Sequence, residues 1–94
     1  MKKCQLAINS LSWSTTEQKL RSIFSSTGKV LDVTLIKNPS GESIGSAFIT
    51  MSNKSDAKTA IRLLNGKVVD GKRIRVGVSP LKEKTFIKAI LSGA

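Results

Sequence analysis

The sequence predicts an α+β domain in which a four-stranded antiparallel sheet carries two helices on one of its faces. Four segments alternate polar and apolar side chains at the two-residue period of strands. Two further segments carry apolar side chains at the spacing of a helical face. Turn signals separate the six segments, and their order is βαββαβ, which is the ferredoxin-like arrangement. A chain of 94 residues has room for one such domain.

The first strand is predicted at residues 5–9, where Leu6 and Ile8 share one face and polar or small side chains share the other. Residues 14–17, with the sequence STTE, follow as a capping box. In this motif a hydroxyl and a later carboxylate both bond to amides at the start of a helix. The first helix is predicted to carry Leu20, Ile23 and Phe24 on its apolar face and to end at Gly28.

The second and third strands are predicted to form a hairpin. They occupy residues 30–37 and 44–51, and the NPSG sequence between them is a turn signal. Strand alternation predicts which side chains face the helices: Val33, Leu35, Ala47, Ile49 and Met51. It places Thr34, Ile36, Ser46, Phe48 and Thr50 on the opposite, open face. For Phe48 the alternative is a buried core phenylalanine, which the parity of Ala47, Ile49 and Met51 disfavours.

The second helix is predicted to begin at an asparagine cap, Asn53, and to end at the Asn-Gly pair of residues 65–66. Its apolar stripe consists of Ala57, Ala60, Ile61 and Leu64. An Asp-Gly turn then leads into a last strand at residues 72–78. This strand is predicted to turn Ile74 and Val76 inward and Arg73, Arg75 and Gly77 outward.

A third, C-terminal helix is predicted after the sheet, which divides the chain into a domain at residues 1–79 and an amphipathic helix at residues 80–94. Ser79 and Pro80 form a helix start, with a hydroxyl cap and a proline at the first helical position. The apolar stripe of this helix includes Phe86, Ile90 and Leu91, and no other element is predicted to cover it.

The charge of the chain indicates a polyanionic partner. Sixteen Lys and Arg residues oppose six Asp and Glu residues, which gives a net charge of +10. Nucleic acid is favoured over a membrane surface, because the basic residues do not line one amphipathic helix. The single cysteine, Cys4, excludes an internal disulfide and fits a reducing compartment. We expect an intracellular location, in the cytoplasm of a bacterium or in an organelle rather than in a nucleus.

Enzyme activity is not expected, and neither is a cofactor or a metal site. The chain has no histidine and no tyrosine, and its six carboxylates are scattered without the spacing of a metal site or an acid–base pair. No glycine-rich loop ends in the Lys-Ser or Lys-Thr pair of a phosphate-binding loop.

Two short segments resemble the signatures of the RNA-recognition motif family. They are LAINSL at residues 6–11 on the first strand and IGSAFITM at residues 44–51 on the third. The resemblance spans residues 3–79 and includes further landmarks at Leu20, Phe24, Ala57, Ala60, Ile61, the Leu-Asn-Gly of residues 64–66, Gly71, Ile74 and Val76. It implies the ferredoxin-like fold and binding of single-stranded RNA on the open sheet face.

The departures from the family pattern concern the stacking residues. The resemblance implies three aromatic positions that stack bases, and they correspond here to Ala7, Ser46 and Phe48. Only Phe48 is aromatic. Because base–aromatic stacking contributes about 1–3 kcal/mol per base, losing two platforms lowers single-strand affinity by several kcal/mol unless other contacts compensate. The resemblance therefore implies modest sequence specificity.

The predicted RNA contacts are Phe48, Arg75, Thr34, Ile36, Asn9, Gln5, Arg73, Lys37 and Lys72. For the arginines the alternative is a charged fringe at a sheet edge, and for the lysines it is two solvated strand ends. Ile36 would pack on a base or on a protein partner. Trp13 is expected to pack in the loop against the domain in preference to touching a ligand.

Two functions follow from these observations. The first is a module that binds single-stranded RNA, with single-stranded DNA as a substitute in vitro, and is gated by the C-terminal helix. Packing Phe86, Ile90 and Leu91 on the open face would contribute about 5–8 kcal/mol before ordering costs. The second is a protein-interaction module of the same fold within a ribonucleoprotein, whose partner binds the C-terminal helix or the helical face of the domain.

Overall fold

Alternating apolar side chains build a four-stranded antiparallel sheet in the computed structural model, which describes residues 3–79. The elements are β1 (Cys4–Asn9), α1 (Glu17–Ser25), β2 (Val30–Lys37), β3 (Ser43–Met51), α2 (Lys54–Leu64), β4 (Val68–Val69), β5 (Lys72–Arg73) and β6 (Arg75–Val78). The strands of the main sheet lie in the order β2-β3-β1-β6, and all three pairings are antiparallel. This confirms the ferredoxin-like βαββαβ prediction.

The core lies between the sheet and the two helices. The strands contribute Leu6, Ile8, Val33, Ala47, Ile49, Met51 and Val76, and the helices contribute Leu20, Phe24, Ala57, Ala60 and Leu64. All of these side chains are buried, as the strand and helix periods predict. Burial of a large apolar side chain contributes about 1.5–3 kcal/mol, so this face of the sheet supplies most of the stability of the fold.

Helix α1 begins two residues later than the capping box predicts. Thr16 is the N-cap, and its side-chain oxygen accepts a hydrogen bond from the backbone N–H of Lys19 at 3.1 Å. The hydroxyl of Ser14 instead lies 2.7 Å from that of Ser12. The STTE sequence contains three hydroxyl side chains that can cap a helix, and the last of them is used.

The last predicted strand is divided at Ile74. Asp70 and Gly71 both have positive φ, at 51° and 82°, which is the backbone of a tight hairpin turn. This turn joins β4 to β5 in a separate two-stranded sheet, and only β6 pairs with β1. The prediction of one continuous strand at residues 72–78 is therefore wrong.

The predicted C-terminal helix lies outside the described residues, and its boundary with the domain stays a prediction. Within residues 3–79, no helix has the length and apolar character needed to cross a membrane.

Candidate nucleic-acid interface

The sheet face opposite the helices consists of three rows of side chains set by the strand register. In the first row Asp32 pairs with Thr50, and Thr50 pairs with Gln5. Gln5 and Thr50 are half-buried. Asp32 is exposed, and its carboxylate accepts a hydrogen bond from the Thr34 hydroxyl at 3.1 Å. Thr34 therefore lies on the open face as predicted, with its hydroxyl proton already donated.

The middle row contains the single aromatic residue of the described sheet. Phe48 pairs with Thr34 on one side and with Ala7 on the other, and Ala7 pairs with Gly77 of β6. Phe48 has the outward parity predicted for it, since Ala47 and Ile49 lie in the core. Its side chain is nevertheless only 2% exposed and is not part of the core cluster. Phe48 is thus on the open face but covered, and its role as a base platform stays a prediction.

Ile36 shows the same combination of outward parity and burial. It follows the half-buried core residue Leu35 in β2, is 7% exposed, and is not part of the core cluster either. Two apolar side chains on the open face are therefore shielded from solvent, although Thr34 and Ala7, the register neighbours of Phe48, are short.

The third row is polar and ends in a cation. The Ser46 hydroxyl donates a hydrogen bond to the side-chain oxygen of Asn9 at 2.9 Å, and Asn9 pairs with Arg75 in the register of β1 and β6. Asn9 and Arg75 are both exposed. Within residues 3–79 Arg75 makes no ion pair. This row therefore presents an amide and a guanidinium to solvent beside Phe48.

The structure corrects the position of Arg73. Because Arg73 belongs to β5 and pairs with Val68, it is not on the open face with Arg75. One of its guanidinium nitrogens donates a hydrogen bond to the backbone carbonyl of Gly66 at 3.1 Å. A shallow groove at the β6 edge still brings the two arginines together, with Ser10 and Asn65 also lining it.

Lys37 ends β2 of the main sheet, whereas Lys72 lies in β5 of the separate two-stranded sheet, and both are exposed. Each lines one of two adjoining grooves that share Trp13 and Glu42. The expectation that Trp13 packs against the domain is wrong, because its side chain is 81% exposed. Nothing in the local sequence signals this exposure, which depends on how the loop after β1 is tied down.

The described part of the chain contains one ion pair, between Lys19 and Asp70 at 3.8 Å. The cysteine and carboxylate side chains of residues 3–79 form no cluster of three or more that would hold a metal ion. The excess positive charge is thus left largely uncompensated by neighbouring carboxylates.

The sequence pattern of the RNA recognition motif matches residues 6–75, which is most of the chain. The chain belongs to the RNA recognition motif family. The matched residues include β1 from Leu6 onward and the whole of β3, which together carry both signature segments.

Solved structures of RNA recognition motif domains share this architecture. Sex-lethal RNA recognition domains 1 and 2 from Drosophila melanogaster are 28% identical, with a TM-score of 0.76, over 85% of this chain and 51% of that chain. A Sex-lethal protein/RNA complex is also 28% identical, with a TM-score of 0.80, over 87% and 50%. The Rna15 domain with bound RNA (GU) is 22% identical, with a TM-score of 0.78 over 96% and 97%, and supports the fold alone.

Proposed function

We propose that this RNA recognition motif binds single-stranded RNA on the open face of its sheet, with modest sequence specificity. The observation that carries the proposal is the row of Ser46, Asn9 and Arg75 beside Phe48. It combines the Asn9 amide, a group that bonds to base edges, with the Arg75 guanidinium, a group that pairs with phosphate or stacks on a base. The Sex-lethal structure in complex with RNA, at 28% identity, supports this assignment.

Arg75 is the residue on which this contact depends most. It is exposed and unpaired in the described part of the chain, whereas Arg73 donates to a backbone carbonyl and lies off the sheet face. Gln5 and Thr34 are half-buried, so each offers a ligand less contact area than the exposed Arg75. The positive charges of Lys37 and Lys72 attract the phosphate backbone of the RNA.

We further propose that RNA competes with the chain's own C-terminal segment, residues 80–94, for the middle row. The burial of Phe48 and Ile36 on the face opposite the helices supports a covered state. The segment follows β6 directly, and its predicted stripe of Phe86, Ile90 and Leu91 suits an apolar patch. RNA would then stack on Phe48 only after displacing this cover, which lowers the apparent affinity.

The test of sheet binding is a titration of a labelled single-stranded oligoribonucleotide with the full chain and with Arg75→Gln. We expect the variant to bind about 5- to 150-fold more weakly, because one arginine contact is lost. Its log–log salt slope should also flatten by about 0.7 if the contact is to a phosphate. Fluorescence anisotropy at low and moderate salt measures both quantities.

Arg62→Gln is the matched control for this titration, because Arg62 is an exposed arginine on α2 and the substitution changes the net charge equally. If Arg62→Gln and Arg75→Gln lose equal RNA affinity, the effect is due to overall charge, and binding on the sheet face is contradicted.

A protein-interaction module within a ribonucleoprotein is the second candidate, and the 2% exposure of Phe48 favours it. If the C-terminal segment stays on the open face, the α-helical face is left for a partner; if another part of the molecule is the cover, the predicted C-terminal helix is left as well. Failure of the full chain to bind RNA even at low salt would support this candidate. The intracellular location and the absence of enzyme activity stay predictions.

A further inference from the structure

The loop between β1 and α1 holds Trp13 at the tip of a pinned turn. The backbone N–H of Thr15 donates to the carbonyl of Ser12 at 3.0 Å, which places Trp13 and Ser14 at the corners. The backbone N–H of Ser14 also donates to the Ser12 hydroxyl at 3.2 Å. Ser12 and Thr15 are buried, whereas the indole between them is 81% exposed.

Two further contacts fix this turn to the rest of the domain. The Thr15 hydroxyl donates to the carboxylate of Asp70 at 2.7 Å, which ties the turn to the β4–β5 hairpin. The backbone N–H of Leu11 donates to the carbonyl of Gly45 at 3.0 Å, and a Cβ at Gly45 would lie 3.0 Å from the Leu11 carbonyl oxygen. The loop is thus held against the start of β3 at a distance that requires glycine.

A groove next to the indole is both apolar and basic. Ile44, which is 46% exposed, and Lys72, which is exposed, line it together with Trp13. Glu42 lines the same groove, so a phosphate would be placed on the Lys72 side and away from that carboxylate. An exposed indole on a pinned turn, beside an aliphatic side chain and a cation, matches the three parts of a nucleotide: a flat base, a sugar edge and a phosphate.

We infer that Trp13, Ile44 and Lys72 form a second RNA-binding site, in which an unpaired base stacks on the indole and its phosphate pairs with Lys72. This inference rests on the proposed RNA binding. It identifies a site that compensates for the RNA affinity lost with the missing stacking residues of the sheet. Ala7 and Ser46 leave two stacking positions of the sheet without a ring, and Trp13 supplies one outside it. The net charge of +10 favours a polyanion over a neutral peptide as the occupant.

The chain offers a direct readout of this site. Trp13 is its single tryptophan, and there is no tyrosine, so indole fluorescence reports on this turn alone. We expect a single-stranded oligoribonucleotide to quench the fluorescence with the same midpoint as the anisotropy change of the labelled RNA. We expect Trp13→Ala to weaken binding by about 5- to 150-fold, the factor for loss of one stacked base, and Trp13→Phe to restore part of it.

Lys72→Gln tests the phosphate contact, and Lys58→Gln, an exposed lysine on α2, is its matched control. We expect only Lys72→Gln to flatten the log–log salt slope, by about 0.7. Circular dichroism of each variant checks that the fold is kept. We expect Trp13→Ala to fold normally, because the side chain that it removes is exposed.

The outcomes separate this inference from the sheet proposal. RNA binding with unchanged indole fluorescence and unchanged affinity in Trp13→Ala overturns the second site and leaves the sheet contact intact. A loss in Trp13→Ala without a loss in Arg75→Gln supports the second site and overturns the sheet contact. Absence of binding by the full chain at low salt overturns both, and quenching by a protein partner but not by RNA shows a protein docking site instead.

Discussion

Gly28 lies where the loop after α1 comes close to Asp56, near the start of α2. Its position suggested the left-handed end of α1, yet the helix ends at Ser25. Gly28 is not among the glycines with positive φ, which are Gly41, Gly45, Gly66 and Gly71. A Cβ at Gly28 would instead lie 2.5 Å from Cγ of Asp56, so the glycine allows this carboxylate to approach the loop.

We expect Gly28→Ala to lower the free energy of unfolding by about 1–3 kcal/mol, the usual cost of overpacking. Displacing Asp56 would also break the hydrogen bond that its carboxylate accepts from the Lys29 backbone N–H at 3.1 Å. Urea denaturation measures the change. A variant as stable as the natural chain would contradict the close-approach argument.

At the scale of elements, strand alternation and helical spacing predicted nearly every core residue, because burial on one face depends only on period. Leu6, Ile8, Val33, Ala47 and Ile49 were all placed correctly on that basis. The β4–β5 hairpin escaped prediction, because Val68 and Val69 were too short a segment to show a period. The break at Ile74 that followed moved Arg73 off the predicted interface.

The start of α1 gives a prediction at the element scale, since the observed cap differs from the sequence motif. We expect Thr16→Ala to lower the free energy of unfolding by about 1 kcal/mol, because the Lys19 N–H loses its side-chain acceptor. Ser14→Ala, the control, removes a hydroxyl that bonds within the loop and should cost less. Thermal unfolding followed by circular dichroism compares them, and a larger loss in Ser14→Ala would return the cap to Ser14.

At the scale of the whole molecule, side-chain exposure was what the sequence could not supply. Parity placed Phe48 on the open face correctly, but whether a further layer covers that face depends on packing between distant segments. Trp13 was expected to be packed and is exposed, because a turn held by Ser12, Thr15 and Asp70 directs the loop outward. The local sequence pattern predicts neither the burial of Phe48 nor the exposure of Trp13.

The covered middle row leads to the last prediction, which concerns residues 80–94. If this segment covers Phe48 and Ile36, then deleting it exposes two apolar side chains, and the free energy of unfolding should fall by about 3–6 kcal/mol. The deletion also removes Lys82, Lys84 and Lys88 against Glu83, a net loss of two positive charges, which by itself weakens RNA binding. A full-length variant with Phe86, Ile90 and Leu91 all changed to Ser keeps every charge and removes only the apolar stripe.

We expect this full-length variant to lose similar stability in urea denaturation but to bind the oligoribonucleotide more tightly than the natural chain, because no cover has to be displaced. Unchanged stability in both variants would show that another part of the molecule shields Phe48, whereas lower stability with unchanged RNA affinity would leave the segment as a structural layer without a gating role.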